Sequence, residues 1–366
     1  MFATTFAAKP HAAAAPGAPA TAAGGYRHYR GLLDASEQAA YDTLRGGLAR
    51  FDDTIALPGC LNQDSLRVVF QGLKLDEPEL FYVSELSLVG PASGRGKTKA
   101  LPAYTMPRAT AERILDDMRA RANRTARSLD GLGDFEKLIE LHAQLASSFV
   151  YDASDAIHAH EATGALVYGR GVCDSVSKAL KYLCDRCGIP AIVAIGQSNP
   201  AAEFPGSALP SNRTMPHAWN LVRMHTAGSD GWYHLDVTHD ALMSSECLRY
   251  DYFCLSDDDI AVDHALSPDA YYPRCPQSFG YYARAGRFAS SKSELTRIAR
   301  QAQAKGENPF VFQLPRIQGA DGQFSQKLMQ LVSDDLASSS HAPTRLHMMS
   351  NPSQMVFQMT LEGSPA

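Results

Sequence analysis

The chain has 366 residues, a formal charge of −5 and seven cysteines, a length that holds one large core or two modest ones. With no run of Lys or Arg there is no electrostatic footprint for nucleic acid or anionic lipid, and no apolar stretch reaches the roughly 18 residues needed to cross a bilayer. An odd number of cysteines scattered from Cys60 to Cys275 points to reduced thiols rather than a disulfide framework.

Residues 1–25 are mostly Ala, Gly, Pro and Thr and are expected to form a disordered tail. The Ala12–Ala15 run is cut short by Pro16, which does not suit the apolar centre of a cleavable Sec signal. The expected location is therefore cytoplasmic, or secreted without such a signal. Apolar residues with helical spacing predict a helix over Leu32–Phe51, capped by Asp34 or Ser36. Arg67–Leu73 and Leu80–Leu88 read as short strands or mixed segments, followed by a loop at Pro91–Gly96. Pro107–Ala126 and Phe135–Phe149 read as amphipathic helices.

In the stretch Gly171–Pro190, residues Val172, Val176, Ala179, Leu180, Leu183, Cys184 and Cys187 fall on one helical face, with Lys178, Lys181, Asp185 and Arg186 largely off it. Gly188 supplies a left-handed cap and Pro190 stops the helix. Cys173 thus stands at the start of a core helix. Ala191–Ile195 predicts a buried strand, and Asn199–Met215 a loop of the kind that borders active sites. His217–Met224 and Trp232–Val237 predict a hairpin turning at Thr226-Ala-Gly-Ser-Asp-Gly, which brings His217 near Asp236. Tyr252–Asp259 reads as a strand feeding a capped helical turn. The region 291–363 reads as helix (Glu294–Lys305), strand (Pro309–Leu314), helix (Phe324–Leu336) and strand (Gln354–Leu361). No internal repeat is evident.

A thiol attacks only as thiolate, and a pKa near 8.5 leaves little of it at neutral pH. A helix start favours the negative charge, an imidazole would take the proton and return it to a leaving amine, and a carboxylate would orient that imidazole. Cys173, His217 and Asp236 supply these three groups in order. The backbone N–H of Cys173 is the natural first oxyanion donor, and no upstream side chain stands out as the second.

Gly-Ala-Leu-Val-Tyr-Gly-Arg-Gly-Val-Cys (164–173), His-Ala-Trp-Asn (217–220) and Trp-Tyr-His-Leu-Asp-Val-Thr (232–238) resemble the three core motifs of bacterial transglutaminase-like proteins. Flanking Phe149-Val-Tyr-Asp, Gly188-Ile-Pro and Tyr252-Phe-Cys-Leu-Ser-Asp agree. The similarity covers roughly Phe135 to His264 and extends more weakly upstream to about Leu32. It implies a papain-like α+β core in which the helix carrying the Cys packs on an antiparallel sheet carrying His and Asp. It also implies Cys173 as nucleophile, His217 as base and Asp236 as orienting acid. One departure is Ser175-Val176-Ser177, where many relatives carry a small residue and an aromatic, so substrate choice is not inherited.

The domain organisation expected is a tail (1–25), an N-terminal mixed extension (26–130), a catalytic core (131–285) and a small C-terminal α+β extension (286–366). The resemblance implies thioester chemistry on a protein or peptide carboxamide, with no cofactor and no metal, and with water or an amine as acceptor. Two rival readings stand beside it. One is an inactive module that keeps the cleft to bind a peptide or glycan. The other is a zinc protein using Cys184-Asp-Arg-Cys187. The apolar placement of both cysteines favours a structural role for the pair, and Cys60, Cys247, Cys254 and Cys275 also read as structural. His158 and His160, with Glu161, do not converge on one ion. His234 and His239, close to Asp236 in sequence, would support that carboxylate or sit at the rim.

Overall fold

The computed structural model describes residues 25–59, 61–90, 98–154, 157–199, 214–226, 228–316, 322–337 and 345–363. Residues 1–24 of the expected tail, the loop at Pro91–Gly96 and most of the Asn199–Met215 loop lie outside these residues.

The N-terminal part begins with α1 (His28–Leu32) and α2 (Ala35–Ala49). Asp34 caps α2 in a reciprocal box with Glu37, satisfying two otherwise orphaned N–H groups. After the short β1 (Ile55–Ala56) comes α3 (Gln63–Asp76). The Arg67–Leu73 segment is therefore helical rather than extended. Its β-branched residues favour a strand locally, but Asn62 caps the helix and Leu66, Val69 and Leu73 are buried along one face, so packing overrides propensity. β2 (Val83–Val89) and β3 (Lys99–Tyr104) then form a small antiparallel sheet with β1.

Two long amphipathic helices follow, α4 (Arg108–Ser128) and α5 (Asp134–Ser148), and then the paired two-residue strands β4 (Val150–Tyr151) and β5 (Arg170–Gly171). A π-helical turn at Gly164–Tyr168 precedes β5. α6 (Cys173–Arg186) starts at the cysteine itself, and Gly188 beyond its end has φ of +76°, the left-handed conformation that glycine adopts without strain.

The central sheet is built from β6 (Ala191–Ser198), β7 (Met215–Thr226) and β8 (Ser229–Leu235). After the short helix α7 (Val237–Met243), the chain adds β9 (Phe253–Leu255), a helical turn α8 (Asp257–Ile260) and β10 (His264–Leu266). The strand order is β10-β6-β7-β8-β9, antiparallel throughout. On one face Val176, Leu180 and Leu183 of α6 pack with Leu138 and Leu141 of α5, Met118 of α4 and Val222 and Met224 of β7. Ile192, Ala194, Trp219 and Leu221 instead join a cluster with Tyr29, Tyr41, Leu73 and Phe81. The sheet is thus covered on both sides. The fold is mixed α and β, with a Cys-bearing helix packed on an antiparallel sheet.

The N-terminal layer also explains why α6 is buried beyond its apolar stripe. Lys178 and Lys181, expected off that stripe, are buried. Lys181 Nζ donates to Asp185 at 2.8 Å and to the Tyr26 carbonyl at 2.8 Å, so its charge is paired rather than solvated.

After α9 (Tyr281–Arg284), the C-terminal unit comprises α10 (Lys292–Ala304), β11 (Phe310–Gln313), α11 (Gly322–Ala337), β12 (Arg345–Asn351) and β13 (Val356–Glu362). Its sheet runs β11-β13-β12 and has its own apolar cluster around Ile298, Phe312 and Met359. β12 was not among the expected strands. It is a half-exposed edge whose Met-rich sequence carries little strand signal.

Candidate active site

The three residues singled out from the sequence come from three different starts and ends of elements. Cys173 is the first residue of α6, and the first N–H groups of any helix lack intrahelical partners. His217 lies near the start of β7, opposite Gly196 of β6. Asp236 follows β8 and caps α7, its Oδ1 accepting from the backbone N–H of Thr238 at 2.9 Å and of His239 at 3.2 Å. The hairpin of β7 and β8 carries Asp236 back to His217, whose Nε2 donates to Asp236 Oδ2 at 2.6 Å. Cys173 is near enough to the same imidazole to favour its charged form. His217 and Asp236 are buried, while Cys173 is partly exposed.

Burial works against a charged His217, but the charge and hydrogen bond of Asp236, with the nearby Cys173, raise it well above the ordinary histidine range. Burial likewise works against an ionised Asp236. The neighbouring imidazoles His239 and His217, with hydrogen bonds from His217 and His264, hold it well below the usual carboxylate range.

The two serines that depart from the family pattern have work to do behind Cys173. Ser175 Oγ donates to the Glu161 carbonyl and accepts from Ala165 N–H, both at 2.7 Å, tying the helix start to the π-helical turn. Ser177 Oγ lies 2.8 Å from the Cys173 carbonyl and 2.9 Å from that of Ala218. Asn220 Nδ2 donates to the Ser177 carbonyl at 2.9 Å. These bonds fix the helix bearing Cys173 against the strand bearing His217. Asn220 was legible as the last residue of His-Ala-Trp-Asn; Ser177 had no signal beyond its departure from type.

More groups gather at Asp236 than the motifs announced. His264 of β10 brings Nε2 to 3.1 Å from Asp236 Oδ2, and its Nδ1 lies 2.6 Å from Asp263 Oδ1. His239 Nδ1 lies 3.4 Å from the same Asp236 oxygen. Of the two histidines flagged beside Asp236, His239 is at the carboxylate. His234 is buried under Trp219, accepting from its indole N–H at 3.0 Å. A Cβ at Gly196 would meet the Trp219 ring at 2.7 Å and run into the Ala265 carbonyl, so the bare glycine lets β10 bring His264 in. No local sequence signal marks His264, because it arrives through a strand pairing 28 residues from Asp236.

On the other side, Tyr151 of β4 is half-exposed. Burial, the nearby Cys173 and two carboxylates push its phenol up to about 12. His160 pairs with Asp174 at 2.9 Å, and Glu161 engages Lys74 and Lys178. Cys184 is fully buried and Cys187 only partly so, and the six described cysteines are free. Two surface clefts, of about 500 and 440 Å³, are lined by other residues, among them Phe135, His225 and Phe279 in one and Arg121, Gln144 and Tyr168 in the other.

Residues 119–237 match the family model of the transglutaminase-like superfamily. This segment belongs to that superfamily. The transglutaminase-like segment runs from within α4 to the start of α7 and contains Cys173, His217 and Asp236. Among solved structures the chain is similar to a candidate cysteine protease from Cytophaga hutchinsonii, at 14% identity and TM-score 0.26, covering 42% of this chain and 61% of that one. It is also similar to a TGase, at 13% identity and TM-score 0.27, covering 50% of each chain. A candidate protease from Parabacteroides distasonis matches at 11% identity and TM-score 0.23, covering 41% of this chain and 35% of that one. The chain thus spans about three fifths or less of these neighbours' lengths. No curated protein matches it. No described helix is long and apolar enough to cross a membrane.

Proposed function

We propose that the chain is a cysteine-dependent acyl-transfer or hydrolytic enzyme acting on a carboxamide of a protein or peptide, with Cys173 as nucleophile, His217 as acid and base, and Asp236 as orienting acid. The observation that carries this reading is the 2.6 Å hydrogen bond from His217 Nε2 to Asp236 Oδ2, with Cys173 near enough to the same ring to favour its charged form.

His217 takes the thiol proton, and the Cys173 thiolate attacks the carbonyl carbon. The Cys173 backbone N–H holds the resulting oxyanion, and the Tyr151 hydroxyl is our candidate for the second donor. The intermediate collapses by breaking the C–N bond, and His217 protonates the departing amine. The thioester left on Cys173 is then attacked by water or an amine. His217 takes the attacker's proton, the acyl group leaves, and the thiol is restored. Water gives hydrolysis or deamidation, and a protein amine gives cross-linking.

A protein or peptide substrate is supported by exposed apolar side chains beside the nucleophile's own elements. Val150 and Tyr151 flank β5, which leads into Cys173, and Met215 precedes His217 on β7. The test is mass spectrometry of a protein mixture incubated with wild type and with Cys173→Ala. The reading expects new amine adducts, deamidated side chains or cleaved chains with wild type alone. Identical spectra would leave the fold as an inactive peptide- or glycan-binding module.

A further inference from the structure

Asp236 Oδ2 is the meeting point of three imidazoles: His217 Nε2 at 2.6 Å, His264 Nε2 at 3.1 Å and His239 Nδ1 at 3.4 Å. We propose that His217, Asp236, His239 and His264 form a binding site for one zinc ion, which holds the thiol of Cys173 inactive while bound.

Three lines of geometry support the site. The four donor atoms lie within 4.8 Å of one another and all four residues are buried. A tetrahedral zinc with bonds of about 2.0–2.1 Å requires donors about 3.3 Å apart, and the three separations from Asp236 Oδ2 bracket that value. The ligand set, three imidazole nitrogens and one carboxylate oxygen, is of the type zinc takes.

The third line is the arrangement around the donors. Zinc-bound histidines hold their second nitrogen on an outer partner that fixes the ring, and such partners are in place here. His264 Nδ1 is held by Asp263, whose other oxygen accepts from Tyr252 Oη at 2.7 Å. His239 Nε2 lies 3.3 Å from Ser198 Oγ. Asp236 Oδ1 is held by two backbone N–H groups. Four ligands and their supports thus come from β6, β7, β10 and the start of α7. A second trio, His234, Asp257 and Cys275, lies equally close together, but the Trp219 indole already occupies His234 Nδ1.

Zinc at this point would take the His217 nitrogen that now binds Asp236, and that ring would no longer accept a proton through this pair. The quieting of Cys173 rests on the proposed nucleophile reading; the binding of zinc does not.

The test uses the full chain freed of metal, titrated with zinc against a chromophoric chelator. One zinc per chain is expected in wild type and equally in Cys173→Ser and His234→Gln. His264→Gln and His239→Gln should bind at least about tenfold more weakly while keeping the metal-free melting temperature. Should either variant unfold, Asp263→Asn keeps all four ligands and should still weaken zinc on the order of tenfold. The cobalt-loaded protein should show no sulfur-to-cobalt charge-transfer band. Loss of binding in Cys173→Ser, a sulfur-to-cobalt band, unchanged binding in both His variants, or no stoichiometric zinc in wild type would each overturn the site. Zinc bound as expected, with Cys173 alkylated equally fast whether zinc is present or absent, would uphold the binding site and overturn the quieting of Cys173, while the nucleophile reading is tested separately by His217→Ala.

Discussion

Asp236 does three jobs at once: it caps α7, orients His217 and receives His264. Asp236→Asn keeps the shape and one acceptor but removes the charge that holds His217 in place. Turnover in the proposed reaction should fall by on the order of a thousandfold or more, with the circular dichroism spectrum unchanged; a loss below about tenfold would argue that His217 does not depend on it. A second buried carboxylate has no part in this chemistry. Burial raises Asp76 to about 7, although it accepts from Tyr29 and Arg30 N–H. Its value when unfolded is near 3.9. Folding therefore favours the protonated form, and stability falls as pH rises from about 4 through about 7, by about 4 kcal/mol in all. Urea titrations across that range should show this slope flattened in Asp76→Asn, whereas an equal slope would place the titration elsewhere. Cys173, His217 and Asp236 were legible because each sits in a short motif. His264 and Asp76 were not, since each gains its meaning only from chain far away in sequence.

At the scale of elements, α6 was readable from its apolar stripe, its start at Cys173 and its Gly188 stop. What the stripe could not reveal was the second layer over Lys178 and Lys181, because burial of those lysines depends on the Tyr26 carbonyl and on carboxylates such as Asp185 and Glu161. The same limit explains α3, where Asn62 capping and packing decide against a local β preference. The link between α6 and β7 runs through Ser177, whose hydroxyl is buried between two carbonyls. Ser177→Ala leaves those acceptors without their donor and should cost about 1–3 kcal/mol in chemical denaturation. It should also slow alkylation of Cys173 severalfold, since the helix start loses its tie to the His217 strand. Unchanged stability and unchanged alkylation would contradict that role.

For the whole molecule, one sheet separates two apolar clusters, and a third belongs to the C-terminal unit. That unit is joined to the sheet by a buried polar network. Arg249 forms a two-bond pair with Asp251, which also accepts from Tyr282 and from Asn351 of β12. Arg249→Met strands the Asp251 charge and should destabilise by about 3–5 kcal/mol, while adding Asp251→Leu should recover much of that loss; a double variant no better than the single would contradict the pairing. The helix and strand order of this unit was largely readable from periodicity, whereas its edge strand and the polar join were not.

The central claim is that one thiol among seven is set apart by His217. Burial pushes the thiols of Cys184, Cys187, Cys247, Cys254 and Cys275 up, so they should be slow toward an alkylating reagent at neutral pH. The direct measurement is the rate of iodoacetamide labelling at each cysteine, read by peptide mass spectrometry in wild type and in His217→Ala. The account predicts Cys173 labelled at least about tenfold faster than any other cysteine, and that advantage lost in His217→Ala. Faster labelling at any other cysteine, or a Cys173 rate untouched by His217→Ala, would contradict it.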